Sequence, residues 1–148
     1  MQKFNIEEHL RSITGDFDIL LKPGQDITYT HSGDPIMYSD PGILKHIISN
    51  LLSNAIKFSD EGKPITITSH QDDQSIAISI KDKGIGIPKS DIEYLFDYFH
   101  RGENAANIEG TGLGLHISAK YTKLLGGTIK CISEEGVGSE FILKFPRL

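Results

Sequence analysis

Apolar residues recur at helical spacing near the start of this chain and again in its middle. In the first segment they alternate in steps of four and three, which predicts an amphipathic helix over 6–20: Ile6, Leu10, Ile13, Phe17 and Leu20. Asn5, with Glu8 three residues later, is typical of a capping box at the start of this helix. Ser39-Asp40-Pro41 predicts the start of a second helix, because a capping side chain precedes a first-turn proline. That helix continues to about Phe58.

The remaining pattern predicts a third long helix, a short helix and several strands. The long helix covers Leu113–Leu125 and ends at Gly126-Gly127, and the short one covers Ser90–Phe96. Alternation of apolar and polar residues predicts strands at 26–31, 36–38, 65–69, 75–81, 128–133 and 139–145. This combination predicts an α+β fold, a two-layer α/β sandwich with helices on one face of a mixed, mostly antiparallel sheet. Residues 97–110 have no clean period and predict a mobile loop.

Composition and charge narrow the class of protein. The 148 residues fit one domain, 1–148, and the 38% apolar and 24% charged shares are ordinary for a globular chain. No apolar run approaches the roughly 18–20 residues of a membrane-spanning helix, and no leader that would direct secretion is expected. A net charge of −5 argues against nucleic-acid binding, which needs a clustered positive surface. The single cysteine, Cys131, indicates a reducing, cytoplasmic location, and we expect it to be a small core residue rather than a nucleophile.

The second helix carries an unusual polar stripe beside its apolar one. His46, Asn50, Asn54 and Lys57 are spaced by four, four and three positions, so they share one side of the helix. Asparagine is a poor interior helix former, and two of them on one stripe suggest a task. A carboxamide oxygen suits Mg²⁺, and a lysine one turn further on can meet a phosphate. The alternative is that both asparagines cap neighbouring loops.

Two glycine motifs lie at places where a strand or a helix meets a loop. The strand over 75–81 leads into Asp82-Lys83-Gly84-Ile85-Gly86, where a carboxylate is followed by glycines that let a flat ligand approach. Asp82 can accept a hydrogen bond from an exocyclic amine, and the alternative is a turn with an Asx cap. Gly110–Leu115 opens the third long helix, where free backbone N–H groups favour an anion.

An aromatic segment lies between the two glycine motifs. Phe96, Tyr98 and Phe99 precede Arg101, which can reach a phosphate bidentately. Packing of the two phenylalanines in the core is the alternative to a contact with a nucleotide. Each of these features is ambiguous by itself, whereas their order along the chain is not.

The ordered motifs resemble the catalytic, ATP-binding domain of two-component sensor histidine kinases. Asn50–Ser59 looks like the N box, Asp82–Gly86 like the G1 box, Phe96–Phe99 like the F box and Gly110–Leu115 like the G2 box. Gly136–Phe141 resembles the closing hairpin of these domains, so the resemblance covers essentially the whole chain. The family belongs to the GHKL superfamily, shared with gyrase, Hsp90 and MutL ATPases, whose nucleotide fold is the same α/β sandwich.

The resemblance implies a site for Mg²⁺ and ATP. Asn54 would be the principal Mg²⁺ ligand with Asn50 assisting, and Lys57 and Arg101 would contact phosphates. Asp82 would read the adenine amine. Other contacts to the nucleotide are implied for Phe58, Gly84, Gly86, Ile87, Phe96 and Ser139. Phosphates would be held by the backbone of Gly110, Thr111, Gly112, Leu113, Gly114 and Leu115, and residues 97–110 would form the ATP lid.

Asn50 departs from the pattern of the superfamily's ATPases, which place a glutamate there as the general base for water. A carboxamide cannot take a proton at neutral pH, and histidine kinases commonly share this feature. The resemblance therefore implies phosphoryl transfer to a nucleophile that needs no base, such as a neutral imidazole. Catalysis would depend on positioning and on charge neutralisation.

The family's acceptor histidine lies on a separate helical hairpin and is usually followed by an acidic residue. No Asp or Glu follows any of the six histidines: His9, His31, His46, His70, His100 and His116. The resemblance thus implies the catalytic half of a kinase, with an acceptor hairpin as partner and a response regulator as an indirect one. We expect this piece to be monomeric. His46 can approach a γ-phosphate, but an orienting or surface role is expected.

Two other functions stay open. An anti-sigma-type protein serine kinase belongs to the same superfamily, although such kinases usually keep the glutamate that Asn50 replaces. A nucleotide-binding regulatory module would hold ATP without transferring its phosphate. Labelled ATP and a separate acceptor hairpin would distinguish a kinase from such a binder.

Overall fold

The computed structural model describes residues 1–92, 95–96 and 113–147. In this part of the chain the helices are α1 (Ile6–Asp16), α2 (Pro41–Phe58), α3 (Lys89–Ile92) and α4 (Leu113–Leu124). The strands are β1 (Gln2–Asn5), β2 (Asp26–Gly33), β3 (Ile36–Ser39), β4 (Pro64–Gln71), β5 (Ser75–Asp82), β6 (Thr128–Glu134) and β7 (Gly138–Pro146).

The main sheet has the strand order β2-β4-β5-β7-β6. β2 and β4 run parallel, and the other neighbouring strands run antiparallel, so the predicted mixed, mostly antiparallel sheet is confirmed. A separate antiparallel pair is formed by β1 and β3. Alternate residues of β4 and β5 are buried while the residues between them are more exposed. One face of the sheet therefore carries the core, against which α1, α2 and α4 pack.

The second helix lies at the centre of this core. Its apolar stripe is almost fully buried: Leu44, Ile47, Ile48, Leu51, Leu52, Ala55 and Ile56. The Asp40 side chain accepts a hydrogen bond of 3.0 Å from the Ile43 N–H, as its position before the first turn predicts. At the other end, the Lys22 ammonium donates to the carbonyl of Ser59 at 2.6 Å. A cation at a helix C-terminus opposes the negative end of the helix dipole, so both ends of α2 are stabilised.

Two predicted helices are shorter than the apolar pattern indicates. α1 ends at Asp16, a 3-10 helix follows over Asp18–Leu20, and Leu20 is 58% exposed. The Phe17 N–H bonds back to the Gly15 and Thr14 carbonyls, which closes the helix soon after a glycine that costs it stability. The short helix does not extend through Phe96, because Leu95 and Phe96 form a turn.

The lone cysteine packs, half-buried, against the hydrophobic core. Burial, with a smaller contribution from the charge of Asp82, raises the pKa of the Cys131 thiol to about 12. The thiol is therefore protonated at neutral pH, which fits the predicted core role and not a nucleophile. Within the described ranges, no helix combines the length and the apolar character that crossing a membrane would require.

Candidate functional site

The polar stripe of α2 lies between two other motifs of the sequence. Asn50, Asn54 and Phe58 follow one another at intervals of four residues, so they lie on the same side of the helix over about 12 Å. α4 begins beside the Asn50 end of this stripe. The loop that follows β5 begins beside its Phe58 end. The fold thus brings the N box, the G1 box and the end of the G2 box together.

At the Asn50 end, the first turn of α4 approaches α2 closely. A Cβ at Gly114 would lie 4.0 Å from the Asn50 carboxamide carbon, so glycine leaves this approach open. The Asn50 Nδ2 donates to the Ser118 Oγ at 3.3 Å, and Ser118 is fully buried. The first N–H groups of a helix lack partners within the helix, so the start of α4 offers donors to an anion beside Asn50.

Asn54 differs from Asn50 in having no side-chain partner within the described part of the chain. It is half-buried, and none of the described residues hydrogen-bonds to its carboxamide. The described residues also contain no group of three or more His, Cys, Asp or Glu that could hold a metal. The donor set on this stripe is therefore neutral amide oxygen, which fits Mg²⁺ when phosphate oxygens and water complete the coordination.

At the other end of the stripe, β5 delivers a carboxylate into the space between sheet and helices. Asp82 continues the inward-facing row of Ile76, Ile78 and Ile80, and it is only 7% exposed. Its Oδ1 accepts two backbone hydrogen bonds, from the Gly84 N–H at 2.9 Å and from the Ser139 N–H at 3.2 Å. Both donors bind the same oxygen, so Oδ2 keeps its capacity to accept from a ligand.

Burial and hydrogen bonding act on this carboxyl in opposite directions. Burial raises the pKa of Asp82 above its usual value, and the two N–H donors lower it by a smaller amount. A carboxylate that is held in a desolvated place, with one free oxygen, is a strong acceptor for an amine. This arrangement has the chemistry that recognition of an exocyclic base amine requires.

The G1 glycines make close contacts with the protein's own backbone. A Cβ at Gly84 would collide with the Phe58 carbonyl oxygen, and the Ile85 N–H donates to that same oxygen at 3.2 Å. Gly86, at φ 71°, lies against the Glu134 carbonyl in the hairpin between β6 and β7. These glycines let the loop lie between the end of α2 and the hairpin. The predicted contact of Gly84 and Gly86 with a nucleotide stays a prediction.

The aromatic and basic candidates occupy different environments. Phe96 packs edge-to-face against Phe141, with ring centroids 6.2 Å apart, which is the core role that was the alternative for it. Phe58 and Ile87 are half-buried, and Lys57, the last residue of the polar stripe, is exposed. Leu115 packs, half-buried, against the core.

Several predicted phosphate contacts lie outside the described residues. These are Arg101, Gly110, Thr111 and Gly112, together with the predicted lid over 97–110. The backbone of Leu113 begins α4, and nothing is described of its side chain. Their roles stay predictions.

Sequence reasoning missed two serines that support the site, and a third, Ser139, was among its candidates. Ser118 bonds to Asn50, and the Ser133 Oγ accepts from the Ile87 N–H at 2.8 Å. Ser139 reaches Asp82 through its backbone N–H, while its hydroxyl lies 2.9 Å from the Ser133 Oγ. Two sequence signals point to these serines. Ser118 follows Gly114 by four residues, which is about one helical turn, and Ser133 lies on the alternating strand that precedes Ser139. His46 packs edge-to-face on Tyr121 at 5.2 Å, in line with its expected orienting or surface role.

Comparison with known proteins agrees with this geometry. The sensor histidine kinase RcsC of Escherichia coli (strain K12) is 40% identical over 123 residues, which cover 82% of this chain and 12% of RcsC. The catalytic domain of histidine kinase ThkA superposes with a TM-score of 0.85 at 28% identity, over 99% of this chain and 95% of that one. Full-length ShkA in complex with AMPPNP gives a TM-score of 0.85 at 27% identity, over 97% of this chain and 30% of ShkA.

This chain corresponds to a small part of the longer curated relatives, because it covers only 12% of RcsC. A family model described as "Histidine kinase-, DNA gyrase B-, and HSP90-like ATPase" matches residues 39–148, from the start of α2 through the end of β7. That range contains the asparagine stripe, the buried carboxylate and the helix start that together form the candidate site. The chain belongs to the family of histidine kinase-, DNA gyrase B- and HSP90-like ATPases.

Proposed function

We propose that this domain binds Mg²⁺ and ATP along the polar stripe of α2 and transfers the γ-phosphoryl group to a histidine on a separate acceptor domain. The observation that carries the proposal is the order of groups along that stripe. A buried carboxylate with a free oxygen, Asp82, lies at one end, and the start of α4 lies at the other. The carboxamide of Asn54, to which none of the described residues hydrogen-bonds, lies between them.

The carboxylate end suits the adenine base. Asp82 Oδ2 accepts a hydrogen bond from the exocyclic amine, while Gly84 and Ser139 hold the other oxygen. Guanine has a carbonyl at the corresponding position, which would face a carboxylate oxygen without a proton between them. Adenine specificity follows from that mismatch of an acceptor with an acceptor. Phe58 and Ile87 supply the half-buried apolar surfaces that would flank the base.

The phosphate end suits a metal-bound triphosphate. Asn54 would hold the Mg²⁺, with Asn50 assisting, and the backbone at the start of α4 would hold phosphate oxygens. When bound, Mg²⁺ neutralises part of the charge of the triphosphate. The exposed Lys57 at the end of the stripe would contact the same phosphates, and so would Arg101.

The transfer step needs no general base on this chain. A neutral imidazole nitrogen of the acceptor uses its lone pair to attack the γ-phosphorus, and the bond to the β,γ-bridging oxygen breaks, which leaves ADP. Asn50 lies on the stripe, one turn before Asn54, at the position where the resemblance implies a glutamate in the superfamily's ATPases. A carboxamide cannot take the proton of water, so the site favours transfer to imidazole over hydrolysis.

The comparisons support this proposal and its setting. RcsC is named a sensor histidine kinase, and the ShkA structure was determined with AMPPNP. We extend the proposal to an acceptor hairpin as the direct partner, a response regulator as the indirect partner, and a cytoplasmic, monomeric catalytic domain. The regulatory nucleotide-binding module is the rival that the same assay tests.

The experiment mixes this chain with a separately purified acceptor-histidine hairpin and ATP labelled at the γ-phosphate. We expect acid-labile label on the hairpin, and loss of that label with Asn54→Asp. Asn5→Asp is the matched control, because the same chemical change at the N-cap of α1 keeps the cap and should leave transfer unchanged. Nucleotide binding without transfer would favour the regulatory module, and acid-stable label on serine would favour the serine kinase.

A further inference from the structure

On three neighbouring strands of the sheet, the inward-facing residues nearest the candidate site are polar. The row consists of Asp82 on β5, Ser139 on β7 and Ser133 on β6, which are opposite one another in the strand register. The next row, one step into the sheet, consists of Ile80, Phe141 and Cys131. The inward-facing residues of these strands therefore change from apolar to polar between the row of Ile80 and the row of Asp82. Two hydroxyls beside a buried carboxylate indicate a hydrogen-bond network.

The hydroxyl of Ser133 is the centre of this network. It accepts from the Ile87 N–H at 2.8 Å, donates to the Gly138 carbonyl at 3.0 Å, and lies 2.9 Å from the Ser139 hydroxyl. A serine hydroxyl has one proton to donate, and the Ser133 hydroxyl donates it in the hydrogen bond to the Gly138 carbonyl. The Ser139 hydroxyl must then be the donor to Ser133. That hydroxyl is engaged away from Asp82, which Ser139 reaches through its backbone N–H alone.

The partners of Ser133 belong to the two segments that hold the Asp82 carboxylate. One donor to Asp82 is the Gly84 N–H, in the loop that continues to Ile87. The other is the Ser139 N–H, which directly follows Gly138. Ser133 thus joins the segment of the first donor to the segment of the second. A backbone bond from the Gly136 N–H to the Ile85 carbonyl, 2.7 Å, also ties loop to hairpin and does not depend on any side chain.

We propose that Ser133 is a positioning residue for recognition of the base: it holds the two donors in place and so keeps the free oxygen of Asp82 directed at the ligand. The inference rests on the proposed function, because it assigns Ser133 to the base-binding end of that site. Without this hydroxyl, the Ile87 N–H and the Gly138 carbonyl lose their partner, and both segments relax around Asp82. The backbone tie between Gly136 and Ile85 keeps the loop attached, so the effect falls on orientation more than on folding.

The test compares two nucleotides that differ in one group. ATP carries the 6-amino group, whereas purine riboside triphosphate lacks it and keeps the remaining contacts. With Ser133→Ala we expect the Kd for ATP to rise about tenfold, which corresponds to about 1.4 kcal/mol. We expect the Kd for purine riboside triphosphate to change less than about twofold. Both are measured on the full chain with Mg²⁺ by displacement of a fluorescent nucleotide.

Ser79→Ala is the matched control. Ser79 lies on β5 and donates its hydroxyl to Glu140 Oε2 at 2.5 Å, three residues before Asp82 and outside the polar row. This variant loses a serine hydrogen bond on the same sheet, and both Kd values should stay at the wild-type level. If Ser133→Ala does not fold, Ser133→Cys fills the same space with a weaker hydrogen-bonding group and should show the same selective loss.

Three outcomes decide the matter. A selective loss of ATP affinity supports the inference. An unchanged ATP Kd, or an equal loss for both nucleotides, would overturn it, because a loosened fold does not distinguish the 6-amino group. If the wild-type chain binds neither nucleotide, the proposed function itself fails, and the two failures are thereby distinguished.

Discussion

Replacing Asn54 by alanine should separate nucleotide binding from folding stability. Asparagine inside a helix is about 0.5 kcal/mol less favourable than alanine. The Asn54 carboxamide has no hydrogen-bond partner among the described residues, so its removal costs no contact there. We expect Asn54→Ala to raise the free energy of unfolding of the unliganded chain by about 0.5 kcal/mol. For a chain of this length, that is a rise in Tm of about 1–2 °C.

Ligand binding should reverse the order of stability of the wild type and Asn54→Ala. At an ATP concentration of 100 times Kd, binding adds about 2.7 kcal/mol to the stability of the wild type. This corresponds to a rise in Tm of about 5–10 °C. Asn54→Ala should show almost none of it, because the metal ligand on the stripe is gone. Scanning calorimetry with and without Mg²⁺ and ATP measures both effects on the same samples.

Asn50→Ala provides the internal comparison. This asparagine bonds to the fully buried Ser118, and loss of a typical hydrogen bond costs about 1 kcal/mol. The gain of about 0.5 kcal/mol in helix propensity offsets part of that loss. The unliganded variant should therefore be less stable than the wild type, opposite in sign to Asn54→Ala. A drop of more than about 3 °C for unliganded Asn54→Ala, or a ligand shift that survives in it, would refute the reasoning.

Three further predictions follow from the site and its surroundings. Burial raises the pKa of Asp82 in the folded protein, so ionisation of this carboxyl lowers stability as pH rises above about 4. Asp82→Asn should therefore have a higher Tm than the wild type at pH 7, and the two Tm values should converge below about pH 4. Titration calorimetry with ATP should show weaker binding to the variant. Gly84→Ala places a methyl against the Phe58 carbonyl and should lower the free energy of unfolding in urea by about 1–3 kcal/mol. Gly62→Ala is the control: its methyl meets no atom within 4 Å, but the residue has φ 78°, so its loss of stability reports backbone strain without the clash. The raised pKa of Cys131, about 12, predicts that a thiol reagent labels the folded chain at pH 7.4 far more slowly than the urea-unfolded chain; equal rates would contradict the core assignment.

The elements with strong local signals could be predicted from sequence. The Asn5 side chain accepts from the Glu8 N–H at 3.0 Å, and α2 begins at Pro41, as the capping patterns indicate. The apolar stripe of α2 is wide and regular, and packing against the sheet reinforced what propensity favoured. The strand over 75–81 is long and alternating, and the structure has it as β5, which ends at Asp82.

The features that were not predicted from the sequence depend on contacts between residues that are distant along the chain. β1 has only four residues and exists because it pairs with β3, more than thirty positions away. The apolar period continued to Leu20, but the chain turns after Asp16 and leaves that residue exposed. The bonds from Asn50 to Ser118 and from Ile87 to Ser133 join residues 68 and 46 positions apart, so only the strand order and helix packing bring them together. Sequence spacing picked out Asn50, Asn54 and Asp82 as candidate groups, and it missed the serines that bond near them.

The order of the strands has a consequence for how such a domain tolerates damage. One donor to Asp82 comes from β7, which is next to last in the sheet and 57 residues further along the chain than Asp82 itself. Ending the chain before residue 139 would therefore remove both β7, which lies between β5 and β6, and the Ser139 N–H donor to the carboxylate. A chain truncated there should therefore lose the sheet and the support of the Asp82 carboxylate together. Under the proposed function, the stoichiometry of nucleotide binding would accordingly report the fraction of intact domain in a damaged preparation.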